Sequence, residues 1–490
     1  MILAVDVGTS ALKAALFERS GAVVSRAAAP LELLPDPDPV RHEADAREWI
    51  RVLRRLTAEL GAGGADRASG PAAGRIDAVV VSGQNPTLVP VSSDGEPLAN
   101  AITWMDRRCV EESRIVAERR GSPCDPSFFL PKALWLLRHR PDVYGRARWL
   151  FSCPEYVSFV LTGEAVTFLP TPDYTRTVMW DAGTVRSLGM DPVKFPPFLA
   201  SGAELGTVSG AGQAATGVPQ GARVFAGAQD YIAALLGTAT VAPGRACLRS
   251  GTSEGVNVCS AKRTDDARLM CVGHIAPDCW NVSGFISTSG KALEWFRNAM
   301  GGGDASWDDL FDDISRSPPG ANRLLFLPYL SGERTPIWDP LARGAFVGLT
   351  LNHGRRDMTR AVVESVACAI RDVVETIEEA GVEVRDLRIT GGPSRSPVWN
   401  QLKADVTGRR LLVPAQRDSD LAGDACLALF GLGDYDSIAA ASEATVRMGA
   451  VFEPDAARGR LYDELFELYR ASYRGLKAVF AGLSAATGGQ

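Results

Sequence analysis

Basic residues are not in surplus in this chain. Lys plus Arg number 52 against 58 Asp plus Glu, a net charge of -6. Nothing in that balance favours nucleic acid or an anionic membrane surface as the main partner. A local positive pocket for a small anionic ligand remains open. Histidine is scarce, with four isolated residues, which argues against a zinc site. No CxxC occurs, and nine cysteines stand singly at 109, 124, 153, 247, 259, 271, 279, 368 and 426. The odd count and scattered spacing predict reduced, mostly buried thiols. Long apolar runs are also missing. The opening Ile2-Leu3-Ala4-Val5 stretch meets Asp6 and is too short for a secretory signal. The least polar later segment, Tyr231 to Ala242, falls short of the ~20 residues a spanning helix needs. A cytoplasmic protein without a membrane partner is expected. There is no GxxxxGK[ST], and no GxGxxG follows the first strand. The P-loop cradle and dinucleotide-dependent hydride transfer therefore lack support.

What is present is ample. The chain has 490 residues, so two or more domains are expected. Apolar residues at 46% and charged residues at 22% are enough for large cores. The N-terminal segment predicts three short strands, Ile2–Asp6, Leu12–Phe17 and Ala22–Arg26, with small-residue turns between them. Arg47–Leu60 has helical periodicity, and the Gly/Ala-rich segment 61–75 reads as a surface loop. Ile76–Val81 is a buried strand ending at Ser82-Gly83-Gln84. Arg107–Arg119 is expected as a helix, and Lys132–Thr162 as two helical pieces around Pro141.

The opening pattern then recurs. Ala246–Arg249 and Gly255–Cys259 are strands joined through Ser250-Gly251-Thr252-Ser253, and Gly-Thr-Ser stands at both 8–10 and 251–253. Two halves of similar design follow from that repeat. Helices are predicted at Lys291–Met300, Asp357–Ala380, Asn400–Thr407, Ala422–Phe430 and Leu461–Phe480, with a strand at Leu387–Thr390. Alternating strands and helices predict an α/β chain. The boundary is expected near residue 240, giving domains 1–240 and 241–490, the latter ending in a helical tail from about 455.

Four segments carry chemistry. In Asp6-Val7-Gly8-Thr9-Ser10-Ala11-Leu12-Lys13, Gly8 lets backbone N–H groups approach an anion. Thr9 and Ser10 can donate to phosphate oxygens, and Lys13 adds a point charge. Asp6 could hold magnesium through water. The same residues also fit an ordinary hairpin with an exposed Lys. The second hairpin offers Gly251 and Thr252 to a terminal phosphate by the same logic, with the same alternative. In Gly227-Ala228-Gln229-Asp230-Tyr231, a carboxylate follows a tight turn at a strand's carboxyl end, where α/β folds collect ligands. Asp230 reads either as a base for a substrate hydroxyl or as a helix N-cap. In Thr390-Gly391-Gly392-Pro393-Ser394-Arg395-Ser396, paired glycines allow a flat adenine or ribose to approach, while Ser396 also suits a cap before Pro397.

These residues resemble the FGGY carbohydrate kinases of the actin/Hsp70/sugar-kinase superfamily. The most specific stretch is Gly344-Ala345-Phe346-Val347-Gly348-Leu349 followed, after seven residues, by Asp357-Met358-Thr359-Arg360-Ala361-Val362-Val363-Glu364. It fits the family's second signature at every constrained position. Pro328-Tyr329-Leu330-Ser331-Gly332-Glu333-Arg334-Thr335-Pro336 is similar to a loop of xylulokinase-like members. Of the first signature, Lys132 and Trp135 fit, while Phe129 and Ala133 do not.

The resemblance implies two ribonuclease H-like (actin-like ATPase) domains with a cleft between them, the sugar mainly on the N-terminal side and ATP largely on the C-terminal side. By motif it implies Asp6, Thr9, Ser10 and Lys13 as the first phosphate loop, and Gly251 and Thr252 as the second. Gly290 is implied near the nucleotide, Gly391, Gly392 and Ser396 around adenosine, and Asp230 as the catalytic base. The helix around Ala422-Gly423-Asp424-Ala425 resembles a connecting helix with close packing at small residues. Gln84, Asn85, Trp104, Asp106, Asp230 and Tyr231 are the implied sugar pocket, with plain core packing the alternative for Trp104. Asn85-Pro86 stand where xylulokinases carry Met-His, and Trp104-Met105-Asp106-Arg107-Arg108 is closer to glycerol kinases.

The expected function is Mg2+- and ATP-dependent phosphorylation of a terminal hydroxyl, on a xylulose-like ketose first and on a glycerol- or erythritol-type polyol second. A non-catalytic nucleotide-gated sensor or an actin-like protein is the rival from another class. No nucleic-acid or membrane partner is expected, and a homodimer is expected only by family analogy.

Overall fold

The computed structural model describes residues 1–61, 76–300 and 306–486. The predicted loop 61–75 therefore lies outside the described residues except for Gly61. The chain divides into two units. The first comprises Met1–Ala239, Ile275–Pro277 and Ser419–Val446; the second comprises Thr240–His274, Asp278–Asp418 and the chain from Arg447 onward.

The first unit is built on a six-stranded sheet. Ile2–Val7 lies at its centre, antiparallel to Ala11–Phe17 and parallel to Ala78–Gly83. Val23–Pro30 extends one side; Arg223–Phe225 and Glu204–Thr207 extend the other. Ile2–Val7 and Ala78–Gly83 are buried along their whole length. Their unbroken apolar character is what burial on both faces requires. Trp49, Val52, Leu53 and Leu56 of the Ala46–Glu59 helix add to this core.

The second unit repeats the plan. Arg245–Ser250 is antiparallel to Glu254–Ser260 and parallel to Asp386–Gly391. Trp280–Ile286 and Met270–Gly273 extend one side, Arg410–Pro414 and Met448–Phe452 the other. The largely buried Arg355–Glu379 helix and the terminal Ala456–Ala486 helix contribute to its core. The repeated Gly-Thr-Ser tripeptides thus sit at equivalent hairpins of two similar sheets.

Three local expectations are corrected. The segment expected as two helices around Pro141 forms three helices, Phe129–His139, Pro141–Arg146 and Cys153–Thr162, with a strand at Trp149–Phe151. That aromatic stretch pairs with Val89–Val91, so sheet pairing overrides helical periodicity. The helix expected from Arg107 begins at Val110, because Asp106 accepts from the Arg108 amide at 3.0 Å and holds the preceding residues in a turn. Ser419–Gly431, assigned to the second half by sequence order, packs inside the first unit. A Cβ on Gly423 would lie 1.9 Å from the Ala233 carbonyl oxygen, so this helix and Asp230–Gly237 meet backbone to backbone. Only glycine permits that approach.

Candidate active site

In the first unit the predicted phosphate-loop residues converge. Strand register sets Asp6 opposite both Lys13 and Ser82. The Lys13 Nζ is 3.9 Å from Asp6 Oδ2 and 4.0 Å from Asp420 Oδ2, in ion-pair range of both carboxylates. Ser82 Oγ donates to Asp424 Oδ2 at 2.7 Å. Burial pushes the Asp424 carboxyl well above the usual carboxylate range. The Gly8 amide closes the hairpin onto the Ala11 carbonyl at 3.0 Å, leaving Thr9 half-buried and Ser10 exposed at the tip. Trp104 Nε1 donates to Thr9 Oγ1 at 2.8 Å, which joins a predicted sugar residue to a predicted phosphate residue. Trp104 is 36% exposed, so it is not plain core.

Gly83 and Gln229 form a parallel bridge, bringing the Gln84 and Asp230 turns side by side at the strands' carboxyl ends. Gln84 is buried; its backbone amide donates to the Val7 carbonyl at 2.9 Å and its Nε2 to the Gly8 carbonyl at 3.4 Å. The side-chain oxygens of Gln84 and Gln229 are buried without a hydrogen-bond partner. Gln229, not Asp230, occupies the N-cap position; Asp230 is the first helical residue, half-buried, with Oδ1 accepting from the Tyr231 amide at 2.7 Å. The capping alternative is corrected accordingly. Tyr231 and Tyr174 share a hydroxyl–hydroxyl hydrogen bond. Asn85 is half-buried before Pro86, whose carbonyl accepts from Lys132 Nζ at 2.6 Å. Burial lowers the Lys132 pKa to about 7.

Asp106 departs from its expected role. It is fully buried, and its carboxylate accepts from the Arg108 guanidinium at 2.6–3.0 Å and from the His42 amide at 2.8 Å. Those bonds occupy both oxygens, so Asp106 organises the loop that carries Trp104 rather than presenting a carboxylate to a ligand.

The second unit gathers the other predicted residues. The Gly290 amide donates to the Gly251 carbonyl at 2.9 Å, and the Ser289 amide to the Thr252 carbonyl at 3.0 Å. Gly391 has φ +92° and lies against the hairpin: a Cβ there would be 1.9 Å from the Ser250 carbonyl oxygen. Gly392 opens the short turn Gly392–Arg395. Ser396 lies farther along and is buried; its Oγ accepts from the Trp399 amide at 3.3 Å as the N-cap of Pro397–Thr407. Its hydroxyl is thus engaged in the cap.

Sequence reasoning missed the polar groups behind these loops. Lys403 and Glu254 form a fully buried ion pair at 2.9 Å. The signal was faint: a lysine on the buried face of a helix that also buries Trp399, Leu402 and Val406. Glu333 is another buried carboxylate of this unit. Its Oε1 accepts from the Ser287 amide at 2.6 Å and the Arg334 amide at 2.8 Å, while Oε2 is buried without a hydrogen-bond partner.

Comparison with known families is decisive for the class. Residues 1–237 match the N-terminal domain, and residues 246–432 the C-terminal domain, of the FGGY family of carbohydrate kinases. The chain belongs to the FGGY family. It is 29% identical to a xylulose kinase of Staphylococcus epidermidis, over 99% of this chain and 98% of that protein. The crystal structure of xylulose kinase from Rhodospirillum rubrum superimposes with a TM-score of 0.84 at 29% identity, covering 98% of this chain and 99% of that one. Gluconate kinase from Lactobacillus acidophilus gives 0.85 at 25% identity, with the same coverage. The protein is a carbohydrate kinase with the actin-like ATPase fold of this family, and ATP is its phosphate donor. Among the described residues no helix is long and apolar enough to cross a membrane.

Proposed function

We propose that this FGGY kinase phosphorylates a terminal hydroxyl of a xylulose-like ketose in the cytoplasm, with Asp230 as the base. The observation that carries this reading is the Gly83–Gln229 bridge. It brings the turn that carries the half-buried Asp230 beside the turn that carries Gln84, at the carboxyl ends of neighbouring strands. The xylulose kinase relatives support the ketose.

In this reading the first unit holds the acceptor. Gln84, Gln229 and Asn85 orient its hydroxyls, the Tyr174–Tyr231 pair bounds it, and Trp104 supplies an apolar wall. Asp230 takes the proton of the attacking hydroxyl as the oxygen bonds to phosphorus. Thr9, Ser10 and Lys13 steady the transferred phosphoryl group. In the second unit the Gly251–Thr252 tip holds the terminal phosphates, with Gly290 behind it. Gly392 leaves room for adenosine, Gly391 seats its strand end against the hairpin, and Ser396 acts through the helix it caps.

The Asp6 carboxylate is a hard oxygen donor of the kind magnesium takes, with the Lys13 ammonium 3.9 Å away sharing its charge. Among the described residues no group of three His, Cys, Asp or Glu is arranged to hold a metal, so Asp6 would carry the ion through water. When bound, magnesium would neutralise charge on the phosphates.

The test is acceptor-dependent ADP release with Mg-ATP against D-xylulose, other ketoses, gluconate, glycerol and erythritol. The highest kcat/KM is expected with a ketopentose. A clear preference for gluconate or a polyol would replace the acceptor class, and no stimulation by any acceptor would overturn the reading.

A further inference from the structure

The hairpin that presents Gly251 and Thr252 carries a carboxylate at its base. Ser250 and Glu254 are paired across the strands, with Gly251-Thr252-Ser253 as the tip between them. An ionised Glu254 this close to a triphosphate site would repel the nucleotide. Its charge is enclosed instead. Lys403 Nζ donates to both Glu254 oxygens, at 2.9 and 3.3 Å, and to Ser250 Oγ at 2.9 Å. Ser250 Oγ donates to Glu254 Oε1, and Ser289 Oγ to Oε2 at 2.5 Å. Lys403 and Glu254 are both fully buried. The cluster joins the strand before Gly251, the residue before Gly290 and the helix capped by Ser396. Buried ion pairs contribute little net stability, so the contribution of this one lies in position and charge.

We propose that Lys403 is a positioning residue for the nucleotide: it cancels the Glu254 charge beneath the phosphate hairpin and fixes the tip that receives the terminal phosphates. The inference rests on the nucleotide reading of the second unit. It deepens that reading by predicting a penalty that grows with ligand charge. A purely structural cluster would weaken all adenine ligands alike.

The test is equilibrium binding of adenosine, ADP and ATP to the full chain at mildly alkaline pH. Lys403→Met is expected to leave adenosine within about twofold and to weaken ATP on the order of tenfold, with ADP between. Adding Glu254→Gln to Lys403→Met removes the uncompensated charge and is expected to restore the ATP-to-adenosine ratio. Ser289→Ala takes one donor from the same carboxylate; it moves the ratio in the same direction by less and serves where Lys403→Met does not fold. Equal losses for all three ligands, an unchanged ATP affinity, or failure of the double variant to restore the ratio would overturn the inference. If the wild-type chain binds no ATP, the nucleotide reading itself fails, and this inference with it.

Discussion

Trp104 and Thr9 are hydrogen-bonded, the indole Nε1 donating to the threonine hydroxyl at 2.8 Å. The contact ties the loop after Ala101–Ile102 to the first hairpin. Trp104→Phe keeps an aromatic wall but frees the Thr9 hydroxyl. Loss of one such bond is worth about 1 kcal/mol, or roughly fivefold. We expect kcat to fall by about that factor with the acceptor KM unchanged in steady-state kinetics. A rise in KM alone would mean the ring, not its N–H, is what matters.

Asp106 and Arg108 form a buried ion pair, with side chains 0% and 5% exposed. Removing Asp106 leaves Arg108 only its partner Glu43, at 2.9 Å, and leaves the His42 amide without its acceptor, at a cost of about 2–3 kcal/mol. Asp106→Ala is therefore expected to lower the urea midpoint substantially while the folded fraction keeps its acceptor KM. A stable variant with a raised KM would return Asp106 to the sugar pocket.

The glycines at 391 and 392 should behave oppositely. Alanine at 391 meets the Ser250 carbonyl oxygen and a positive φ, whereas nothing lies within 4 Å of a Cβ at 392. Gly391→Ala is expected to destabilise by about 3 kcal/mol. Gly392→Ala should stay within about 1 kcal/mol of wild type and act, if at all, on ATP affinity. Thermal unfolding distinguishes the two.

Much of this fold was legible because its information is local. Apolar runs broken by Gly-Thr-Ser give the two hairpins, and the strands ending at Gly83 and Gly391 are the parallel neighbours of each first strand. The Asp230 turn was legible for the same reason, although its cap fell to Gln229. Long-range features were not. No local pattern says that Ser419–Gly431 leaves the second unit, because what fixes it is Gly423 against Ala233. Glu254 and Lys403 lie 149 residues apart, and nothing near either one names the other. Asp106 looked like a ligand residue because an acidic side chain next to Trp and Arg reads the same way whether it faces a sugar or an arginine.

Glu333 should leave a signature in the pH dependence of stability. Burial raises its pKa from 4.5 to about 7. Below the lower value both states are protonated. Between the two values the unfolded chain ionises while the folded one holds its proton, so stability falls as pH rises and levels off above about 7. Glu333→Gln keeps Oε1 as acceptor for the Ser287 and Arg334 amides and removes the titration. We expect the wild type to lose about 2–3 kcal/mol more than the variant between mildly acidic and mildly alkaline pH, measured by urea unfolding. Parallel pH profiles would show that Glu333 is ionised throughout.

In the proposed reaction Asp230 deprotonates an acceptor hydroxyl bound in the first unit. The most direct test of that role is acceptor-dependent ADP release by wild type and by Asp230→Asn, with ATP binding measured on both. A loss of about a hundredfold or more in kcat is expected for the variant, with ATP affinity retained. A variant that keeps most of its acceptor-dependent rate would contradict that role.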